Sequence, residues 1–163
     1  MNKKIKALVL DIDGVLTDGT VGISGPSLKR LFLRDLDALT MARENGIKIA
    51  FISGESESEA KPVVERCGGG ISVCDAKDKE KGIRELARKI GMDLSEICYV
   101  GDARRDVPAL RMVGLGLTPA NADKVAKSVA YRVLTACGGR GAVSEAVDLI
   151  LNIAESEPDC DSN

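Results

Sequence analysis

The chain of 163 residues lies within the range of about 100 to 200 residues usual for one domain, and its 44% apolar and 29% charged residues suit a soluble globular protein with one continuous core. Its 23 basic and 25 acidic residues give a formal net charge of -2, so neither nucleic acid nor an anionic membrane is expected as a partner. Histidine is absent, which excludes a Ser-His-Asp mechanism and His-ligated zinc and leaves carboxylates as the natural proton-transfer groups near neutral pH.

The opening MNKKIKALVLDIDG is basic, but its apolar run stops at Asp11, where a secretory leader would continue without acids. No segment approaches the ~20 apolar residues of a membrane span, and a cytoplasmic location is expected. Residues 5–10 read as a first strand buried on both faces. The segment TVGISGPSLKRLFL (20–33) carries two β-like runs around the turn sequence SGPS and predicts a protruding hairpin. A helix is expected over 35–45, stopped by Gly46, and a second strand over 47–52. In SESEAKPVVERCGGG, Pro62 either kinks a helix or marks its start. A strand over 71–74, a helix over 78–90, a strand over 97–100, a helix over 106–113 and a strand over 115–117 follow. Each of the three helices expected at 35, 78 and 106 opens on Asp and is followed by Gly, which is cap chemistry. Such alternation predicts an α/β fold, a doubly wound and mainly parallel sheet with helices on both faces. One domain over 1–154 and a disordered acidic tail over 155–163 are expected. The five cysteines, Cys67, Cys74, Cys98, Cys137 and Cys160, form no CxxC pair and read as reduced thiols.

In an open parallel sheet, functional loops lie beyond the carboxyl ends of the strands. There the first strand delivers Asp11 and Asp13, the second delivers Ser53 and the one ending at Val100 delivers Asp102 and Asp106. A single DxD is as readily a turn or a cap. Four carboxylates converging would repel one another and raise each other's pKa, so the set calls for a cation. With oxygen ligands and no soft donor nearby, magnesium is the natural ion, and its habit of sharing its sphere with phosphate points to a phosphorylated substrate. Lys79 reads either as a solvated lysine or as the remaining positive charge. Ser53 reads as a helix cap or a phosphate ligand.

Taken in order, DIDGVLTDG, ISG with Ser53, DK with Lys79 and GDARRD resemble the four motifs of the haloacid dehalogenase superfamily of phosphatases. The resemblance covers most of the chain and implies a Rossmann-like sheet. The missing cap insert, the hairpin and GGRGAV (138–143) resemble the small cap-less branch that acts on phosphorylated ulosonic acids of eight or nine carbons. By this resemblance Asp11 is the nucleophile that becomes an aspartyl phosphate. Asp13 protonates the leaving sugar oxygen and then activates water. Magnesium is held by Asp11, the Asp13 carbonyl and Asp102, with Asp106 as ligand or anchor. Ser53, Gly54 and Lys79 hold the phosphoryl oxygens, and Gly14 permits close backbone approach. The resemblance also implies a homotetramer in which hairpin and C-terminal segment cover a neighbour's site; otherwise the hairpin is a surface ribbon.

The chain departs from that branch at Ala103 and Arg105, where it commonly has an acid and an asparagine, and at Leu36, where RDG becomes Arg34-Asp35-Leu36. Glu55 resembles the nine-carbon enzymes and Arg140 the eight-carbon ones. Arg140, or the pair Arg104 and Arg105, is expected to contact a substrate carboxylate, the alternative for the pair being a surface role. A receiver-type phosphoacceptor domain, a non-catalytic scaffold and a phosphatase of a quite different phosphoester are the rival readings. The first conflicts with Ser53 in the place of the phosphorylated aspartate, the second with intact Asp11 and Asp13.

Overall fold

Apolar residues on consecutive strand positions are buried on both faces of one six-stranded sheet in the computed structural model, which describes residues 4–24 and 28–155, with side chains through 152. The strands are β1 (Ala7–Asp11), β2 (Lys48–Ile52), β3 (Ile71–Val73), β4 (Ile97–Val100), β5 (Leu115–Thr118) and β6 (Arg132–Val133), in the order β3-β2-β1-β4-β5-β6. Every pairing is parallel. In β1, Leu8 and Leu10 pack on one side with helices α1 (Leu33–Glu44), α2 (Glu57–Arg66) and α6 (Ala142–Glu155). Ala7 and Val9 pack on the other with α3 (Lys79–Ile90), α4 (Val107–Met112) and α5 (Lys124–Val129). The alternation of a strand's side chains thus divides the core into two layers, the doubly wound arrangement expected from the sequence. Strand order reverses between β1 and β4, so the loops after Asp11 and Val100 flank one crevice.

The helix starts refine the sequence reading. Asp78 does cap α3, accepting from the Lys81 N–H at 3.2 Å, and Gly91 ends that helix in the left-handed conformation. Asp35 does not cap α1, which begins two residues earlier at Leu33; its carboxylate instead accepts from the Gly141 and Ser144 N–H groups at the start of α6, 3.2 and 2.8 Å away. Asp106 ends a short 3-10 turn (Arg104–Asp106) and turns its carboxylate inward. Asp35 finds its partners more than a hundred residues away, and Asp106 bonds Tyr99 of β4 together with the amides of its own turn. Pro62 lies within α2, whose start is fixed by Ser56 and Glu59.

The expected hairpin is corrected: residues 20–24 and 28–32 carry no strand, and the turn residues 25–27 lie outside the described residues. A lone two-stranded ribbon has too little apolar contact to hold a ladder, and Val21, Ile23 and Leu28 are 71, 101 and 80% exposed. The tail expected to be disordered falls outside the described residues from 156 onward, as does Cys160; Cys67, Cys74, Cys98 and Cys137 are free thiols. No helix of the described residues is long and apolar enough to cross a membrane.

Candidate active site

The first strand ends on Asp11, and the backbone then turns sharply through Gly14, whose φ of 84° is a left-handed value. A Cβ on Gly14 would stand 2.0 Å from Asp102 Oδ2, so only glycine lets this turn close against the loop after β4. Gly138 packs from the far side, where a Cβ would stand 1.8 Å from the Gly14 carbonyl oxygen, and the Gly139 N–H donates to the Val15 carbonyl at 2.9 Å. The glycine pair before Arg140 is therefore a brace for the turn of its own chain.

Asp11, Asp102 and Asp106 each offer a carboxylate oxygen, all within 4.8 Å of one another, so three of the four carboxylates expected to converge do so and Asp13 is not among them. Asp11 is 8% exposed and Asp106 fully buried. Lys79, also buried, reaches between them, its ammonium 2.7 Å from Asp11 Oδ1 and 3.5 Å from Asp106 Oδ1. It is thus no solvated lysine. Both oxygens of Asp106 are engaged: Oδ1 accepts from the Tyr99 hydroxyl at 2.6 Å, and Oδ2 from the N–H groups of Asp102 and Ala103 at 3.1 and 2.9 Å. Asp106 holds the Asp102 loop in place as well as contributing charge.

Three carboxylates against one ammonium leave an excess of negative charge in a poorly solvated crevice. Burial raises the pKa of Asp11 well above the usual carboxylate range; Lys79 opposes the shift and Asp106 adds to it. Burial, and then Asp106, push Asp102 up to about 6. A divalent cation would relieve both, and an all-oxygen donor set of this size suits a hard ion such as magnesium.

The Asp13 carboxylate is not part of that cluster and has partners of its own. Its Oδ1 accepts from the Thr17 hydroxyl at 3.2 Å and its Oδ2 from the Lys29 ammonium at 2.9 Å. Lys29 also pairs with Glu55, so one lysine from the segment 28–32 ties the two acids together. Burial works against the Lys29 charge, but the hydrogen bonds with Glu55 and Asp13 outweigh it and raise its pKa. Beyond Lys29 and Glu55 opens a cavity of about 670 Å³, lined also by Val21, Glu59, Val63 and Arg66.

Ser53 follows directly on Ile52, the residue opposite Asp11 in the register. It is buried and is not a helix cap, since α2 starts at Glu57; its hydroxyl accepts from the Glu55 N–H at 3.1 Å. Gly54 is partly exposed beside it. Arg140 is not brought to the carboxylates. It lines a separate cavity of about 210 Å³ with Asp18, Arg30 and Phe32. Arg104 and Arg105 are exposed on the turn between Asp102 and Asp106.

Two contributors escaped the sequence reading. Lys29 stands in SLKR, where no periodicity or spacing marks it. Tyr99 was legible in principle, because a tyrosine inside a fully buried strand must find a partner for its hydroxyl.

The family model described as haloacid dehalogenase-like hydrolase matches residues 27–114, more than half of the chain. The 3-deoxy-D-manno-octulosonate 8-phosphate phosphatase KdsC of Escherichia coli (strain K12) is 36% identical, the match covering 91% of this chain and 80% of that protein. Its counterpart in Haemophilus influenzae is 29% identical over 91% and 84%. Among solved structures, the phosphatase of that name from Moraxella catarrhalis, in complex with magnesium ion, phosphate ion and KDO, superposes with a TM-score of 0.84 at 31% identity, covering 91% of this chain and 86% of that one. A cobalt-bound form of the Haemophilus influenzae enzyme gives 0.88 at 28% identity, covering 98% and 94%. With strand order, carboxylate crevice and these matches in agreement, the chain belongs to the haloacid dehalogenase-like hydrolases.

Proposed function

We propose that the chain is a magnesium-dependent phosphatase that hydrolyses a phosphorylated ulosonic acid, 3-deoxy-D-manno-octulosonate 8-phosphate, through a phosphorylated Asp11. The observation that carries the reading is the placement of Asp11 in the three-carboxylate cluster with Asp13 outside it, two residues on and with its carboxylate hydrogen-bonded to Thr17 and Lys29. One carboxylate can then attack phosphorus while another handles protons without competing for it.

Asp11, Asp102 and the Asp13 carbonyl would hold the magnesium, with Asp106 anchoring the set; when bound, the ion offsets negative charge on the phosphoryl oxygens. Lys79, already on Asp11, and Ser53 with Gly54, beside it in the register, would take the other phosphoryl oxygens. A carboxylate oxygen of Asp11 forms the bond to phosphorus as the bond to the sugar oxygen breaks, and Asp13 gives that oxygen a proton. Asp13 then takes a proton from the water that attacks phosphorus, releasing inorganic phosphate and restoring Asp11. Splitting one hard displacement into two is what a carboxylate nucleophile offers.

The cavity beyond Lys29 and Glu55 is large enough for the sugar and lies on the Asp13 side, where the leaving oxygen must emerge. The exposed Val21, Ile23, Leu28 and Leu33 favour a homotetramer whose subunits cover one another's sites, and Arg140, which lines the separate cavity with Arg30 and Phe32, would meet a substrate carboxylate. Residues 1–154 would form the one folding unit, in the cytoplasm, in keeping with its free thiols.

The test is phosphate release with magnesium over eight- and nine-carbon ulosonate phosphates and common sugar phosphates. The eight-carbon 8-phosphate should give the highest kcat/KM, and Asp11→Asn should lose at least about a thousandfold in kcat. Release by Asp11→Asn at the parental rate would overturn the assignment, and preference for a nine-carbon 9-phosphate would favour the reading that Glu55 suggests.

A further inference from the structure

The segments 20–24 and 28–32 invert the usual rule of burial. Val21, Ile23 and Leu28 are largely exposed, while the Lys29 side chain is only 17% exposed and is bonded to two acids. We propose that Lys29 is a specificity-determining residue: its ammonium hydrogen-bonds a hydroxyl of the leaving group, on the carbon chain next to the scissile phosphoester. The inference rests on the phosphatase reading above and names which residue recognises the polyhydroxylated class of substrate.

Three observations carry it. To protonate the leaving oxygen, Asp13 must come within hydrogen-bond reach of it, and Lys29 Nζ is 2.9 Å from Oδ2 of that same carboxylate. The substrate atoms that follow the leaving oxygen therefore pass beside Lys29. Second, Lys29 and Glu55 stand together on the wall of the cavity of about 670 Å³, and of that cavity's charged residues Lys29 is the one bonded to Asp13. Third, the two groups are chemically complementary to a hydroxyl. An ammonium offers three donors, of which Asp13 and Glu55 engage two, and a carboxylate offers only acceptors. A hydroxyl both donates and accepts, so it can bridge the pair without leaving either charge unpaired. A simple alkyl or aryl leaving group cannot, and it would bury part of this ion pair with nothing in return.

The experiment compares kcat/KM for 3-deoxy-D-manno-octulosonate 8-phosphate and for phenyl phosphate, with magnesium, in the parent, Lys29→Met and Lys29→Arg. The fraction of folded enzyme cancels in the ratio of the two substrates, whereas an effect on Asp13 does not, because a phenolate needs protonation less than a sugar alkoxide; the inhibitor pair below removes that difference. The ratio should fall by about tenfold to a hundredfold in Lys29→Met, the range of a lost charge-assisted hydrogen bond, and by less in Lys29→Arg. A second pair isolates the hydroxyl: glycerol 1-phosphate should inhibit the parent more tightly than propyl phosphate, and Lys29→Met should bring the two inhibition constants together. If Lys29→Met keeps both ratios within about twofold of the parent, Lys29 reads no hydroxyl and the inference is overturned. A parent that releases phosphate from neither substrate would instead overturn the phosphatase reading, and the inference with it.

Discussion

Burial of Asp11 and Asp102 next to Asp106 makes ionisation at the crevice costly, and this gives the site a pH dependence whose sign follows from linkage. Asp102 moves from an ordinary value of 3.8 to about 6 on folding. Between those values the folded chain binds more protons than the unfolded one, so this group makes the metal-free protein less stable as pH rises through that window. A divalent ion needs the carboxylates deprotonated, so its stabilisation grows in the opposite direction. Magnesium should therefore raise the melting temperature more at about pH 7.5 than at about pH 5.5. Equal shifts at the two values, measured by calorimetry, would mean that these carboxylates do not hold the ion. The sequence made this part of the site legible because Asp11, Asp102 and Asp106 stand at fixed offsets from apolar strands, and strand ends in a parallel sheet share one edge. Lys29 was not legible, because its position depends on the path of an irregular loop rather than on any period.

At the level of elements, the C-terminal helix is tied to the site by contacts that no local pattern announces. Asp35 in α1, 1% exposed, accepts from two N–H groups at the start of α6, and Glu145 in α6 accepts from Thr135 and Ala136 N–H groups at 2.8 to 3.0 Å. The turn they hold carries Gly138 and Gly139 onto the backbone of Gly14 and Val15. Asp35→Ala leaves buried donors without a partner and should cost about 2 kcal/mol in urea unfolding, whereas Asp35→Asn, which keeps an acceptor, should cost less. Equal losses in the two variants would count against a hydrogen-bonding role. Read locally, Asp35 looked like the start of its own helix, because propensity sees neighbours in sequence and the Gly141 amide is distant in it. The five strands expected from the sequence all form, since a run of apolar residues buried on two faces needs no tertiary information to be recognised. The two-residue β6 and the helices α5 and α6 were not foreseen.

For the molecule as a whole, the sheet order places the reversal between β1 and β4, and this topology brings Asp11 within reach of Asp102 across 91 residues of sequence, the difference of their numbers. The exposed Val21, Ile23, Leu28 and Leu33 predict self-association. Light scattering at assay concentration should give the mass of four chains, and the mass of one chain would remove the shared-site scheme. Assembly was legible only through resemblance, since exposed valine and leucine in a sequence do not say what covers them. The central claim is that the converging acids let Asp11 carry the phosphoryl group, and acid quenching during turnover with magnesium followed by peptide mass spectrometry tests it most directly. A single phosphoryl group on the peptide bearing Asp11, absent without magnesium and absent in Asp11→Asn, is the predicted result. Phosphate on a peptide lacking Asp11, or an Asp11→Asn protein that is still phosphorylated, would contradict it.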